Sequence, residues 1–169
     1  LFLFLFAAFL IIIFLGIYVF LFNTVSTNLD IDEDFGQVNL KDVNALTFGR
    51  INQAFLDSAD YIGFTVLFSL VLLMFLNAYF LRGEYPRLFI IIDIVLLVFA
   101  YILSVYISET YSLLINSTSL LSNIYVNIMP KSSAFILNLP MIIGIVGCVV
   151  MILSYSGMPR KKEEISFNG

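Results

Sequence analysis

Apolar residues in this chain neither alternate nor keep to one helical stripe. They run on for more than twenty positions at a time, four times over. The stretches are 1–22, 61–81, 88–108 and 132–156, and Asp93 is the one Asp, Glu, Lys or Arg inside them. A helix rises 1.5 Å per residue, so about 20 residues cross a hydrocarbon core of about 30 Å. The pattern predicts an all-α integral membrane protein, a four-helix transmembrane bundle. The first stretch lacks a basic leader and a small-residue cleavage site, and reads as a retained membrane helix rather than a signal peptide.

The segments between the stretches differ from one another. Segment 23–60 carries seven acids against Lys41 and Arg50, and its first half, to about Asn44, has no sustained period and reads as irregular and solvated. From Thr47, however, Phe48, Ile51, Phe55, Ala59 and Ile62 recur at helical spacing, which predicts an amphipathic helix leading into the second span. Asp30, Asp32 and Asp34 suggest the start of a calcium loop, but Phe35 stands where that loop needs Gly and Lys41 where it needs Glu. A solvated acidic turn fits better, and no metal site is expected. Segment 109–131 mixes Leu113, Leu114, Leu120, Leu121, Ile124, Tyr125 and Ile128 with Ser, Thr and Asn. It is too apolar for a free loop and too polar for a span, so a second amphipathic, interfacial or partner-facing helix is expected there. Asn116-Ser117-Thr118 matches a glycosylation sequon.

Charge orients the bundle. Arg82 and Arg87 bracket the short hairpin 82–87, and Arg160, Lys161 and Lys162 open the tail 157–169. The two long loops hold only Lys41, Arg50 and Lys131. Positively charged short segments stay on the cytoplasmic side, so the hairpin, the tail and both termini are expected there, with the two loops opposite. Tyr18, Tyr61, Tyr79, Tyr106 and Tyr155 fall near the expected span ends, where an apolar ring with a polar tip sits best.

Composition narrows the function classes. Hydrophobic residues make up 61% of the 169 and charged ones 12%, half the usual share for a soluble domain, so the lipid bilayer is the expected solvent. A net charge of −4 argues against a nucleic-acid partner. There is no His and a single Cys148, which removes the commonest general base, any intrachain disulfide and Cys-based metal chemistry. Neither catalytic residues nor a cofactor is expected.

The chemistry left lies inside the apolar stretches. An ionised Asp93 facing lipid costs several kcal/mol, and Arg87, six positions away, lies on a different helical face. Asn77, Ser154 and Tyr155 stand at a similar depth, counted from the basic residues flanking their spans. Asp93, Asn77, Ser154 and Tyr155 therefore form a candidate intramembrane polar cluster facing the bundle interior. It reads either as a packing hydrogen bond or as part of a proton or ion path. The fourth stretch offers Gly144, Gly147 and Cys148 as a candidate helix-packing patch, and Pro140, which should kink that helix or begin its regular part. The function expected is a structural or accessory subunit of a larger assembly, a membrane enzyme complex or a membrane-containing virion, with other membrane subunits as partners. The alternative is a small oligomeric channel, transporter or holin-like pore using Asp93.

Overall fold

A computed structural model describes residues 1–29, 34–35, 38–81 and 89–156. Among the described residues the regular structure is helical apart from one antiparallel pair of two-residue strands. Helix α1 covers Phe2–Asn28, β1 Asp34–Phe35, β2 Val38–Asn39, α2 Leu40–Leu46 and α3 Phe48–Phe80. Then come α4, Phe89–Asn116, α5, Ser119–Ser122, a π-helical turn, Asn123–Ile128, α6, Pro130–Leu137, and α7, Leu139–Tyr155. Three of these helices, α1, α3 and α4, are long and apolar enough to cross a membrane, and α6 with α7 makes a fourth candidate if the two count as one broken crossing.

The long helices form a bundle in which α7 packs between α3 and α4 while α1 lies along α3 and touches α4. Its core falls into two clusters. Phe4, Leu5, Val71, Ala100, Ile143 and Val146 fill one end. At the other, Ile12, Val19, Leu67, Tyr111, Tyr125 and Ile136 close together, with Phe9 and Phe135 packed against both clusters. The first end gathers the start of α1 and the last turns of α3 and α7, because Leu1, Leu81 and Ser154 line a single cavity there. We call it the near end. The start of α4 joins it, since Asp93 and Leu1 line a cavity together.

The expected fourth span, 132–156, is not one continuous helix. It breaks at Asn138, and α6 and α7 meet at 69°. Pro140 explains the break: it is near the first position of α7, lacks a backbone donor, and its ring would clash with the carbonyl four residues back. Carbonyls released at such a break must find other donors. Ser108 Oγ, reaching across from α4, donates to the carbonyl of Leu137 (2.7 Å), while Asn138 Nδ2 adds a second donor (2.8 Å) to the Ala134 carbonyl, which keeps the Asn138 N–H (3.0 Å).

The loops are more ordered than their sequence pattern indicates. The expected irregular stretch from Asn23 to about Asn44 is corrected at both ends: α1 runs on to Asn28, and Leu40–Leu46 is a helix whose cap, Asn39, accepts the N–H of Lys41 (2.9 Å). Lys41 and Asn39 are polar punctuation the hydrophobic period does not register. The amphipathic segment from Thr47 is no separate helix; it is the first part of α3, which runs 33 residues, about 50 Å at the standard rise. Likewise α4 passes the expected boundary at Ser108 and ends at Asn116. Both helices thus project at the far end of the bundle, opposite the cavity of Leu1, Leu81 and Ser154. Most of the acidic cluster, the basic hairpin and the basic tail lie outside the described residues.

Candidate functional site

Asp93 sits one turn into α4, half-buried. The Tyr155 hydroxyl, from the last turn of α7, donates to its Oδ2. Packing of α4 against α7 brings the two together across the chain, and Gly147 enables it: a Cβ there would lie 2.1 Å from Leu97 Cδ1. Behind the pair is a cavity of about 240 Å³ lined by Asp93, Leu96, Met151 and the buried Ser154, among others. Asn77 lines a neighbouring cavity of about 230 Å³, which shares Leu1, Val150 and Ser154 with the first. The four polar residues named from depth alone therefore do gather at one end. Their roles differ: Tyr155 holds the carboxylate, Ser154 borders both cavities, and the exposed Asn77 side chain makes no hydrogen bond among the described residues.

The small-residue patch divides as well. Gly147 is the packing residue of the three. A Cβ on Gly144 would meet nothing within 4 Å, and Cys148 is exposed, so the 144/148 pair makes no close helix contact. The physical reason is the helical turn: Gly147 is rotated toward α4, on the side of the buried Ile143 and Val146, whereas Cys148, the next residue, turns outward.

The far end carries a second polar constellation, centred on Asp60. Its side chain, at 5% exposure, comes from the middle of α3 and caps a helix distant in sequence. Asp60 Oδ2 accepts the N–H of Lys131 (3.2 Å), and Oδ1 that of Ser132 (2.8 Å). These are the second and third residues of α6, whose first, Pro130, has no N–H to satisfy. Helix starts leave such donors unpaired, and a carboxylate satisfies them while complementing the positive end of the helix dipole. Ser132 Oγ returns a bond to the Asp60 carbonyl (3.0 Å). Gly63, one turn on, lets the two elements meet, since a Cβ there would lie 2.6 Å from Ser132 Oγ. Lys131 Nζ lies 3.6 Å from the ring centroid of Tyr61.

Beside this cap, the π-helical turn drives Tyr125 into the core. Its ring meets Tyr111 edge-on at 5.5 Å, and its hydroxyl donates to the carbonyl of Ile13 (3.3 Å). Gly16 makes room on α1, where a Cβ would lie 2.1 Å from the Tyr125 oxygen. Burial pushes the Tyr125 phenol up to about 12, so it remains a neutral donor at physiological pH.

The sequence reading did not single out Asp60, Gly16, Gly63 or Tyr125. Signals for some were present: Gly16 is the one glycine of the first apolar stretch, and Pro130 ahead of Lys131 and Ser132 marks a helix start in need of an acceptor. Among the described residues no three His, Cys, Asp or Glu side chains are placed to hold a metal ion. Comparison with protein-family models, with curated proteins and with solved structures finds no match to this chain.

Proposed function

We propose that this chain is a multi-pass membrane protein serving as a structural or accessory component of a larger membrane assembly, such as a membrane enzyme complex or a membrane-containing virion. One observation carries the reading. Apolar side chains facing lipid need no partner, but those beyond the lipid do. About 20 residues of α4 or α3 span the hydrocarbon, and past that length, at the far end, Leu113 is 75% exposed, Leu120 62% and Ile51 60%. A contact with a different membrane chain would cover them.

In this reading the four apolar crossings form a transmembrane bundle, with both termini and the 82–87 hairpin on the cytoplasmic side, as the Lys and Arg distribution favours. Cysteine labelling at Glu84, Phe167 and Asp42 tests the orientation: the first two react from one side and the third from the other. The absence of His and the single Cys148 favour a non-catalytic component over an enzyme. The experiment that tests the assembly is native mass measurement after extraction in mild detergent. The expected species exceeds the 19.1 kDa chain, contains a second kind of subunit, and reverts to the single chain on Leu113→Glu. A monodisperse single chain would refute the proposal.

The second reading, a small oligomeric channel, transporter or holin-like pore, is favoured by Asp93 lining one of two cavities that share a wall. Its weakness is the apolar stretch of α3 from Val66 to Leu76, interrupted only by Ser69, whose hydroxyl is spent on the carbonyl of Thr65 (2.8 Å). Loss of ion or proton flux on Asp93→Asn would promote it.

A further inference from the structure

A cavity of about 370 Å³ opens beside the Asp60 cap, between α3 and the start of α6. Leu56 and Ile128 form apolar walls, while Asp57, Tyr61, Asn127 and Lys131 supply polar groups. Asp60 also borders it, but its carboxylate is committed to the α6 backbone. Asp57 and Lys131 are not so committed. Both are exposed, and neither forms an ion pair or a side-chain hydrogen bond among the described residues, although they line the same space. Lys131 is steadied instead over Tyr61.

An acid and a base left apart in one cavity suit a ligand carrying both charges. Depth says which kind. Tyr61 opens the second apolar stretch and Lys131 stands just ahead of the fourth, which puts the cavity at headgroup level if the chain crosses a bilayer as proposed above. A second observation lies directly below. Asp57, Tyr61, Phe64 and Phe68 follow one another at helical spacing along a single face of α3. Phe64 and Phe68 stack at 6.4 Å, Phe64 meets Phe135 edge-on, and the two α3 rings remain 38% and 51% exposed. An acyl chain descending from the cavity would run along this aromatic strip.

We propose that the cavity binds a zwitterionic phospholipid with a primary ammonium headgroup, of the phosphatidylethanolamine type. Lys131 takes the phosphate, joined by the second N–H of the Asn127 amide, whose first donates to Asn123 Oδ1 (2.8 Å), and Asp57 accepts from the ammonium. A quaternary ammonium donates no hydrogen bond, and one face of the single aromatic ring here is already covered by Lys131, so choline lipids bind less well. Anionic headgroups without an ammonium leave Asp57 unpaired and repelled.

The test is native mass spectrometry of the full chain released from nanodiscs that contain equal parts of phosphatidylethanolamine, phosphatidylcholine and phosphatidylglycerol. The expected result is one retained phosphatidylethanolamine per chain, with Asp57→Asn and Lys131→Gln each cutting retention about tenfold, the loss of one charge-assisted bond. Lys131→Arg should restore retention, which separates headgroup binding from a folding defect. Soluble phosphoethanolamine should displace the lipid poorly, because it lacks the chain that the Phe64 and Phe68 strip holds. Equal retention of the three lipids, retention unchanged in both charge variants, or displacement by soluble phosphoethanolamine at equal concentration would each overturn the proposal. Those outcomes arise from a chain already inserted in the bilayer, so they leave the membrane reading standing. Failure to enter the nanodisc would overturn both.

Discussion

Asp60 and Asp93 occupy opposite ends of the same bundle, and their surroundings differ in kind. Asp60 is almost fully buried and receives two backbone N–H bonds from a helix start 71 and 72 residues away. Asp93 is half-buried, held by the Tyr155 hydroxyl, and borders a cavity. A backbone donor in an apolar setting has no alternative to its acceptor, so the first carboxylate is part of the architecture. Both carboxylates border a cavity, but a phenol and a half-buried carboxylate are side-chain groups that can turn to other partners, so they can be parted at lower cost. The far end is built to stay closed, whereas the near end tolerates change.

The glycines repeat the contrast. At the far end Gly16 and Gly63 are pressed against Tyr125 and Ser132, a rigid ring and a side chain fixed by its own hydrogen bonds. Toward the near end Gly147 faces the tip of a leucine, which can move, and Gly144 faces nothing within 4 Å.

Breaking the comparison begins with its strongest element. Asp60→Ala strands two helix-start donors in the core, and the expected loss is about 3 kcal/mol, with Asp60→Asn costing less because one oxygen still accepts. Thermal unfolding in detergent, read by helical circular dichroism, measures both; equal stability of Asp60→Ala and wild type would remove the cap from the account. Next, Gly16→Ala must displace the Tyr125 ring and its contact with Tyr111, an overpacking cost of about 2 kcal/mol. Gly147→Ala should cost about 1 kcal/mol because Leu97 can swing aside, and Gly144→Ala less than about 0.5 kcal/mol. An inverted order in those three melts would mean that the helices pack differently.

Alkali offers a finer probe. The Tyr125 phenol titrates at about 12 in the folded chain, above the usual 10 for an exposed tyrosine. Folding therefore favours its neutral form. The stability it contributes is complete below pH 10 and is lost as pH rises through 12. Tyr125→Phe should flatten that part of the stability curve, and an unchanged alkaline slope in the variant would count against its burial. Of the two carboxylates, the one at the near end is expected to give the smaller effect. Asp93→Asn keeps an oxygen that accepts from Tyr155, so stability should change by about 1 kcal/mol or less. A larger drop would make the two carboxylates alike.

Much of the bundle was legible because length and apolarity are one-dimensional properties. Uninterrupted apolar runs announce long helices, and matching depth from the flanking basic residues sufficed to gather Asp93 with Ser154 and Tyr155. What was hidden depends on three-dimensional pairing. Asp60 is one of seven acids in its loop, and nothing local distinguishes the one that reaches Lys131 and Ser132. The break at Asn138 was half visible: Pro140 allowed either a kink or a fresh start, and the Ser108 hydroxyl that takes up the Leu137 carbonyl comes from another helix. Segment 109–131 has no clean period because it is assembled from the end of α4, a short helix, a π-helical turn and the start of α6. Each piece rotates the apolar face relative to the last.

The central claim is that the apolar side chains left uncovered at the far end meet another protein, and site-specific photo-crosslinking in the native membrane tests it most directly. A photoreactive residue at Leu113 or Leu120 should form a discrete adduct with a different polypeptide, while one at Phe99, which is 58% exposed in the middle of α4, should react with lipid. Lipid adducts alone at all three positions would contradict the claim.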